Sequence, residues 1–347
     1  MEAALKMAFQ YYTEKDKMSQ RHLLISREHS YHGNTGWALA VSGHKKRREP
    51  YEHMLPKNVH WVSSCNQYRQ QLEGETDDQF VQRKAVELDA KFRELGSHRV
   101  AAFVLEPISG AALGCVPPPP GYLKAMKEVC ERHGSLMILD EVMSGMGRCG
   151  PLHVWQDEGF TPDIQTIAKG LGGGYEACAA VLASEKVAKR FRDGSGVFVH
   201  GQTYQAFPRS CAAILEVQSI IRENNLLTNV RAQGARLEKG LRRALQDHPN
   251  VGDIRGRGLF WGIEFVKDKV TKEPFDVKLG IAKQLWDLST SEPFNMTIYP
   301  CTGSADGNDG DHIILAPPYI VTSEQIDYAI RTIAEVINIV FKEIDQI

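Results

Sequence analysis

Two ionisable residues stand where apolar runs end. Leu136–Leu139 leads into Asp140-Glu141-Val142-Met143-Ser144-Gly145-Met146-Gly147-Arg148, and residues 163–168 lead into Lys169-Gly170-Leu171-Gly172-Gly173-Gly174-Tyr175. Taken singly, each has an ordinary explanation. Asp140 reads as a helix cap, as a structural ion pair with Arg148 or as a ligand carboxylate; Lys169 reads as a surface lysine beside a flexible loop. The glycine run matches neither G-x-G-x-x-G nor G-x-x-x-x-G-K-[ST]. The pair is more informative than its members. A partly desolvated lysine amine forms a Schiff base with a carbonyl carbon. A carboxylate that keeps a ring nitrogen protonated turns that ring into an electron sink. Pyridoxal phosphate (PLP) requires both groups.

Such groups must be held by rigid elements, and the chain supplies an alternating series of them. Residues 22–27, 99–105, Leu136–Leu139, 163–168, 178–183 and 258–266 are short apolar runs that predict strands. Helical spacing predicts helices over 77–95, 121–133, 184–192, 208–223, 227–247 and 275–289, and Thr322 with Gln325 forms a capping box for a last helix to about Ile344. The βαβ alternation predicts an α/β fold with a mostly parallel sheet covered by helices on both faces, whose chemistry belongs at the carboxyl ends of its strands. A polar stretch near Arg222–Asn225 divides a large domain, 1–222, from a smaller C-terminal α+β domain, 223–347.

With these motifs in place, the sequence resembles the class III (omega-type) PLP-dependent aminotransferases of fold type I. The resemblance rests on Asp140-Glu141-Val142 with Gly145, Gly147 and Arg148, and on Ile167-Ala168-Lys169-Gly170-Leu171-Gly172-Gly173-Gly174-Tyr175. Ser30-Tyr31-His32-Gly33, Glu106-Pro107 with Gly110 and Gly114, and Gly201-Gln202-Thr203-Tyr204 with Pro208 extend it, as do Arg255-Gly256-Arg257-Gly258-Leu259 and Ala316-Pro317-Pro318. It implies that Lys169 is the Schiff-base lysine and proton shuttle and that Asp140 pairs with the pyridine nitrogen. Val142 and Tyr31 would then lie against the two ring faces, with His32 and Glu106 near the cofactor. Thr203 would reach the cofactor phosphate of a second subunit, which implies a homodimer. The implied reaction moves an amino group from an amine or ω-amino acid to a keto acid. Racemase, decarboxylase and aminomutase chemistry would use the same lysine and aspartate. Arg148, Arg209, Arg255 and Arg257 are the candidates for binding a substrate carboxylate.

Two departures from the family pattern carry expectations. The family's phosphate loop, a Ser-Gly-Ser-Glu-Ala-like run, comes just before the segment that here begins at Met1. The chain is therefore expected to lack that loop and the N-terminal segment before it, and to bind PLP more weakly, since a helix N-terminus is a natural phosphate site. The alternative reading is a truncated, catalytically impaired homologue or a partner subunit that retains the dimer surface. After the glycines stands Glu176-Ala177, where relatives have x-Pro; a carboxylate there would raise the pKa of the lysine or alter the preference for substrate charge.

Composition narrows the partners. With 41 Lys plus Arg against 43 Asp plus Glu, the formal charge of −2 gives no broad positive field for nucleic acid or anionic membrane. No apolar run approaches the roughly 18–20 residues of a membrane helix. The seven cysteines are scattered, without a C-x-x-C pair, which argues against a metal site or a disulfide framework and for reduced thiols in the cytoplasm. A targeting segment upstream of Met1 would change that location.

Overall fold

The computed structural model describes residues 1–344. The chain divides into two compact units: Met1–Pro107, Pro118–Met146 and Pro151–Ile221 form the first, and Ile108–Pro117, Gly147–Gly150 and Arg222–Ile347 the second. The boundary near residue 222 is thus accompanied by two short excursions of the chain into the second unit.

The first unit is built on a six-stranded sheet of β1 (Leu23–Arg27), β2 (Val59–Val62), β3 (Val100–Leu105), β4 (Leu136–Asp140), β5 (Ile164–Ala168) and β6 (Ala179–Ala183), in the order β2-β1-β3-β4-β5-β6. All neighbours are parallel except β6, which runs antiparallel to β5. The strands between the edges are apolar almost throughout because both of their faces are covered. On one face Leu24, Ala102, Val104, Leu136, Ile138 and Ile164 pack with Leu5, Ala8 and Tyr12 of the helix Glu2–Lys15. On the other, Ile25, Phe103, Met137 and Leu139 pack with Phe80, Leu88 and Phe92 of the helix Asp77–Leu95 and with Met126 and Val129 of the helix Tyr122–Arg132. Alternate residues of β4 therefore serve opposite layers, as the period-2 side-chain direction requires. Thr76 and Gln79 cap the start of Asp77–Leu95 reciprocally.

The second unit holds a four-stranded antiparallel sheet of β7 (Val251–Arg257), β8 (Phe260–Phe265), β9 (Tyr299–Cys301) and β10 (His312–Leu315), ordered β7-β8-β10-β9. Leu237, Leu241, Phe265, Leu285, Ile333 and Ile337 form part of its core. Thr322 and Gln325 make the expected reciprocal cap of the helix Ser323–Ile344. The predicted helix over 275–289 starts later, at Ile281, because Gly280 adopts a left-handed conformation with φ +60°. No described helix is long and apolar enough to cross a membrane.

Candidate active site

In the strand order β2-β1-β3-β4-β5, chain connections diverge on either side of β1 and β3, and in open α/β sheets ligands bind at the strand carboxyl ends beside such a switch point. Four neighbouring strands, β1, β3, β4 and β5, end in Arg27 with the Ser30–His32 loop, in Glu106, in Asp140 and in Lys169. The sheet thus brings together the chemical groups that were far apart in sequence.

Asp140 is buried, and its carboxylate is oriented from three directions. Oδ1 accepts from the Thr166 hydroxyl at 3.0 Å and from the Val142 amide at 3.1 Å, while Oδ2 lies 2.8 Å from His32 Nδ1. The Nδ1-protonated tautomer of His32 is the one that donates to this carboxylate. A carboxylate has about four lone-pair positions, so three neighbours leave it one for a ring N–H. His32 is itself fixed, since its amide donates to Ser42 Oγ at 2.8 Å. The Ser42 hydroxyl donates to the Ala38 carbonyl at 2.8 Å. Asp140 is therefore neither a helix cap nor the partner of Arg148, whose guanidinium donates to the Leu259 and Pro317 carbonyls and stacks on Tyr319.

Glu106 is also buried, and its Oε2 accepts the Tyr31 amide at 3.2 Å while Arg27 Nη2 donates to its carbonyl at 2.6 Å. It fixes the loop that carries Tyr31 and His32. Half-buried Tyr31 is overlaid by the Arg47 guanidinium, 4.3 Å from its ring centroid. Val142 is half-buried, one residue beyond the strand-end pair Asp140-Glu141. Glu141, completely buried, accepts from the Val154 amide at 2.9 Å and so ties the turn after β4 to the segment that follows it.

Lys169 opens a short 3-10 turn and has φ +44°, the left-handed region that non-glycine residues seldom occupy. The glycines behind it are required by space: a Cβ on Gly172 would stand 2.6 Å from the Glu176 carbonyl and 2.7 Å from Cys178 Sγ. Desolvation by surrounding protein pulls the Lys169 ammonium below the ordinary lysine range; Asp140 and Glu106 oppose that shift and Arg47 adds to it. Glu176, expected to act on this lysine, is engaged elsewhere, accepting from Ser210 Oγ at 2.8 Å and from Arg209 at 3.3 Å.

The backbone strain at Lys169 leads to a stability prediction. Releasing a left-handed residue to glycine gains about 1–2 kcal/mol, and the added freedom of the unfolded chain takes back about 0.4–1. Lys169→Gly is therefore expected to unfold in urea with a stability about 0.5–1 kcal/mol above that of Lys169→Ala. Equal midpoints for the two variants would show that the turn carries no such strain.

Thr203 is the expected site residue that the structure leaves outside this cluster. It lies in an exposed turn and makes no hydrogen bond to the other six. Two contributors escaped the sequence reading. Thr166 had a signal, a hydroxyl inside the apolar run Ile-Gln-Thr-Ile-Ala. Arg47 stands in Lys-Lys-Arg-Arg, which reads as a solvated charge run until the fold lays it over Tyr31.

The aldehyde and ring of PLP fit these residues, because the amine is partly desolvated and the buried carboxylate retains an acceptor position. Comparison with known proteins points the same way. The family described as aminotransferase class-III matches residues 1–337. An aminotransferase of Gibberella zeae is 51% identical over 339 residues, which cover 97% of this chain and 66% of that protein. An uncharacterized aminotransferase of Schizosaccharomyces pombe is 43% identical over 338 residues, covering 97% and 73% of the two. This chain thus spans about two thirds to three quarters of those relatives' length. A thermostable (S)-enantioselective omega-transaminase from Thermomicrobium roseum superimposes with a TM-score of 0.89 at 35% identity, over 98% of this chain and 72% of that one. The match along 1–337, a sheet of fold type I and a lysine–aspartate pair at its strand ends agree: the chain belongs to the class III aminotransferase family.

Proposed function

We propose that this chain is a PLP-dependent transaminase that moves an amino group from an amine or ω-amino acid to a keto acid, with Lys169 as the attachment point of the cofactor. The observation that carries the reading is the placement of Lys169, its amine partly desolvated, at the end of the strand next to a buried carboxylate whose two oxygens are already oriented. When bound, PLP supplies a carbonyl for covalent capture of the amine and a protonated ring that withdraws electrons.

The remaining work falls to the chain's own groups. Asp140 holds a proton at the ring nitrogen, and His32, Thr166 and the Val142 amide keep its carboxylate aimed. Lys169 Nζ, with its lowered pKa, is neutral in a larger fraction of molecules at a given pH, which suits it to accept a proton from the substrate carbon and return it two bonds away, across the nitrogen. Val142 and Tyr31 would pack against the ring, and Glu106 keeps the Tyr31–His32 loop in register. The names of the similar proteins favour transamination over racemisation, decarboxylation or mutase chemistry at the same pair.

A homodimer belongs to this reading, with Thr203 donating to the partner's cofactor phosphate. In its support, Thr203 lies in an exposed stretch rich in apolar side chains, including Val199 and Tyr204, each 75% exposed, and Leu215, 70% exposed. Cytoplasmic residence is supported by seven free cysteines. The test is to incubate the purified chain with PLP and screen amines and ω-amino acids against pyruvate and 2-oxoglutarate, with sedimentation of the same sample. PLP-dependent formation of alanine or glutamate by a dimer is expected. If no donor yields either product, the chain is not a transaminase.

A further inference from the structure

The loop that carries Tyr31 and His32 runs into a helix of only six residues, Gly36–Val41. A helix this short does not persist in water by itself, and this one is held at both ends by side chains from outside it. Its first amides need acceptors that the helix cannot supply. Thr35 stands where a capping residue belongs, yet its side chain makes no cap hydrogen bond, and its hydroxyl donates to Glu2 Oε1 instead. The same carboxylate oxygen accepts the amides of Trp37 at 2.9 Å and Ala38 at 3.2 Å, which an N-cap side chain would ordinarily take. A carboxylate there also faces the positive end of the helix dipole. At the other end, buried Arg48 donates to the Leu39, Ala40 and Ser42 carbonyls, where positive charge is favoured.

We propose that Glu2 is a positioning residue for Asp140, acting through the helix Gly36–Val41, Ser42 and His32. The path is continuous. Glu2 binds the Ala38 amide, and the Ala38 carbonyl accepts the Ser42 hydroxyl at 2.8 Å. Ser42 Oγ in turn accepts the His32 amide at 2.8 Å, and His32 Nδ1 lies 2.8 Å from Asp140 Oδ2. The helix also confines the loop sterically, since a Cβ on Gly33 would stand 3.0 Å from that of Ala38. Ser42, His32 and Asp140 are buried, so a partner that moves away is not replaced by bulk water. The anchor is firm, because Glu2 opens the helix whose Ala4, Leu5 and Ala8 pack in the core beneath the sheet. The proposal rests on the transaminase reading of Asp140 and adds the residue that keeps His32 in place behind that carboxylate.

The test pairs a measurement that needs no turnover with one that does. The downfield proton resonance of His32 Nδ1–H, assigned by its loss in His32→Gln, is followed in wild type, Glu2→Ala and Glu2→Gln, with and without PLP. It is expected to be lost or broadened in Glu2→Ala and kept in Glu2→Gln, whose amide oxygen can accept from the same Thr35, Trp37 and Ala38 donors. With PLP bound, kcat should fall about tenfold in Glu2→Ala at a donor KM within about twofold of wild type, and return most of the way in Glu2→Gln. In a His32→Gln background the same Glu2→Ala change should lower kcat less than about twofold, because the path is already cut. Glu2→Asp, which retracts the carboxylate by one methylene, carries the same comparison if Glu2→Ala does not fold. A Glu2→Ala protein with a lower urea midpoint but the wild-type resonance and kcat would overturn the proposal and leave Glu2 a helix cap. So would an undiminished loss in the His32→Gln background. A wild type that transaminates no donor, yet loses the resonance in Glu2→Ala, would uphold the positioning of His32 and refute the transaminase reading instead.

Discussion

Replacement of Lys169 by alanine is expected to lower turnover by about 10⁴-fold or more, combining the loss of covalent attachment with the loss of the proton carrier. The fold should survive. The side chain, whose amine is only partly desolvated, makes no hydrogen bond among the described residues that holds an element in place. Circular dichroism and the oligomeric state should therefore match wild type. Two further readouts separate chemistry from structure. The visible band of PLP bound to the protein should disappear, and small added amines such as methylamine should restore part of the turnover by carrying the proton in place of Nζ. The pH profile carries a sign as well. Because desolvation lowers the Lys169 pKa, with Arg47 adding to the shift, Arg47→Gln should move the acid limb of the profile, where the rate rises as Nζ becomes neutral, to higher pH. Turnover of Lys169→Ala within tenfold of wild type would mean that another amine does this work.

The second large effect is at Asp140. Asp140→Asn keeps the volume and keeps an oxygen for the Thr166 hydroxyl and the Val142 amide, but it removes the negative charge that stabilises a protonated ring nitrogen. Turnover should fall by a factor on the order of 10² or more, equivalent to about 3 kcal/mol in the barrier. The urea midpoint should change little, because the amide replaces most of the contacts. Its amide nitrogen meets His32 Nδ1, and the imidazole can answer by moving its proton to Nε2, which lies 3.5 Å from Ser26 Oγ. Asp140→Ala is the contrasting variant. It leaves the Thr166 hydroxyl, the Val142 amide and His32 without their acceptor, so stability should drop together with activity. Normal turnover in Asp140→Asn, with unchanged cofactor affinity, would reduce Asp140 to an anchor for the turn after β4.

Much of this arrangement was legible in the order of residues, for a physical reason. In a parallel sheet every strand is an apolar run, and the first ionisable residue after it marks the carboxyl end; Asp140 and Lys169 are conspicuous because Leu-Met-Ile-Leu and Ile-Gln-Thr-Ile-Ala precede them. Strands of the antiparallel sheet are harder to see. In β7, Val-Gly-Asp-Ile-Arg-Gly-Arg shows no apolar run because Arg255 meets its charge partners inside the fold, and β10 has only four residues, beginning with a buried histidine. The late start of the helix at Ile281 came from the left-handed Gly280 and the short 3-10 turn Val277–Leu279 capped by Asp276, where local spacing had extended the helix to 275. Charges were the least legible feature. Glu176 stands seven residues from Lys169 and points its carboxylate to Ser210 and Arg209, whereas Arg47, more than a hundred residues away, acts on that lysine. Pairing between distant charges depends on strand order, which a one-dimensional pattern does not encode.

The central claim is that the cofactor resides on one particular lysine. Borohydride reduction of the PLP-loaded chain, followed by proteolysis and mass spectrometry of the labelled peptides, tests it directly. The label is expected on Lys169 alone, in the peptide that carries Gly170-Leu171-Gly172-Gly173-Gly174-Tyr175. A stoichiometric label on any other lysine, with Lys169 unmodified, would contradict the account.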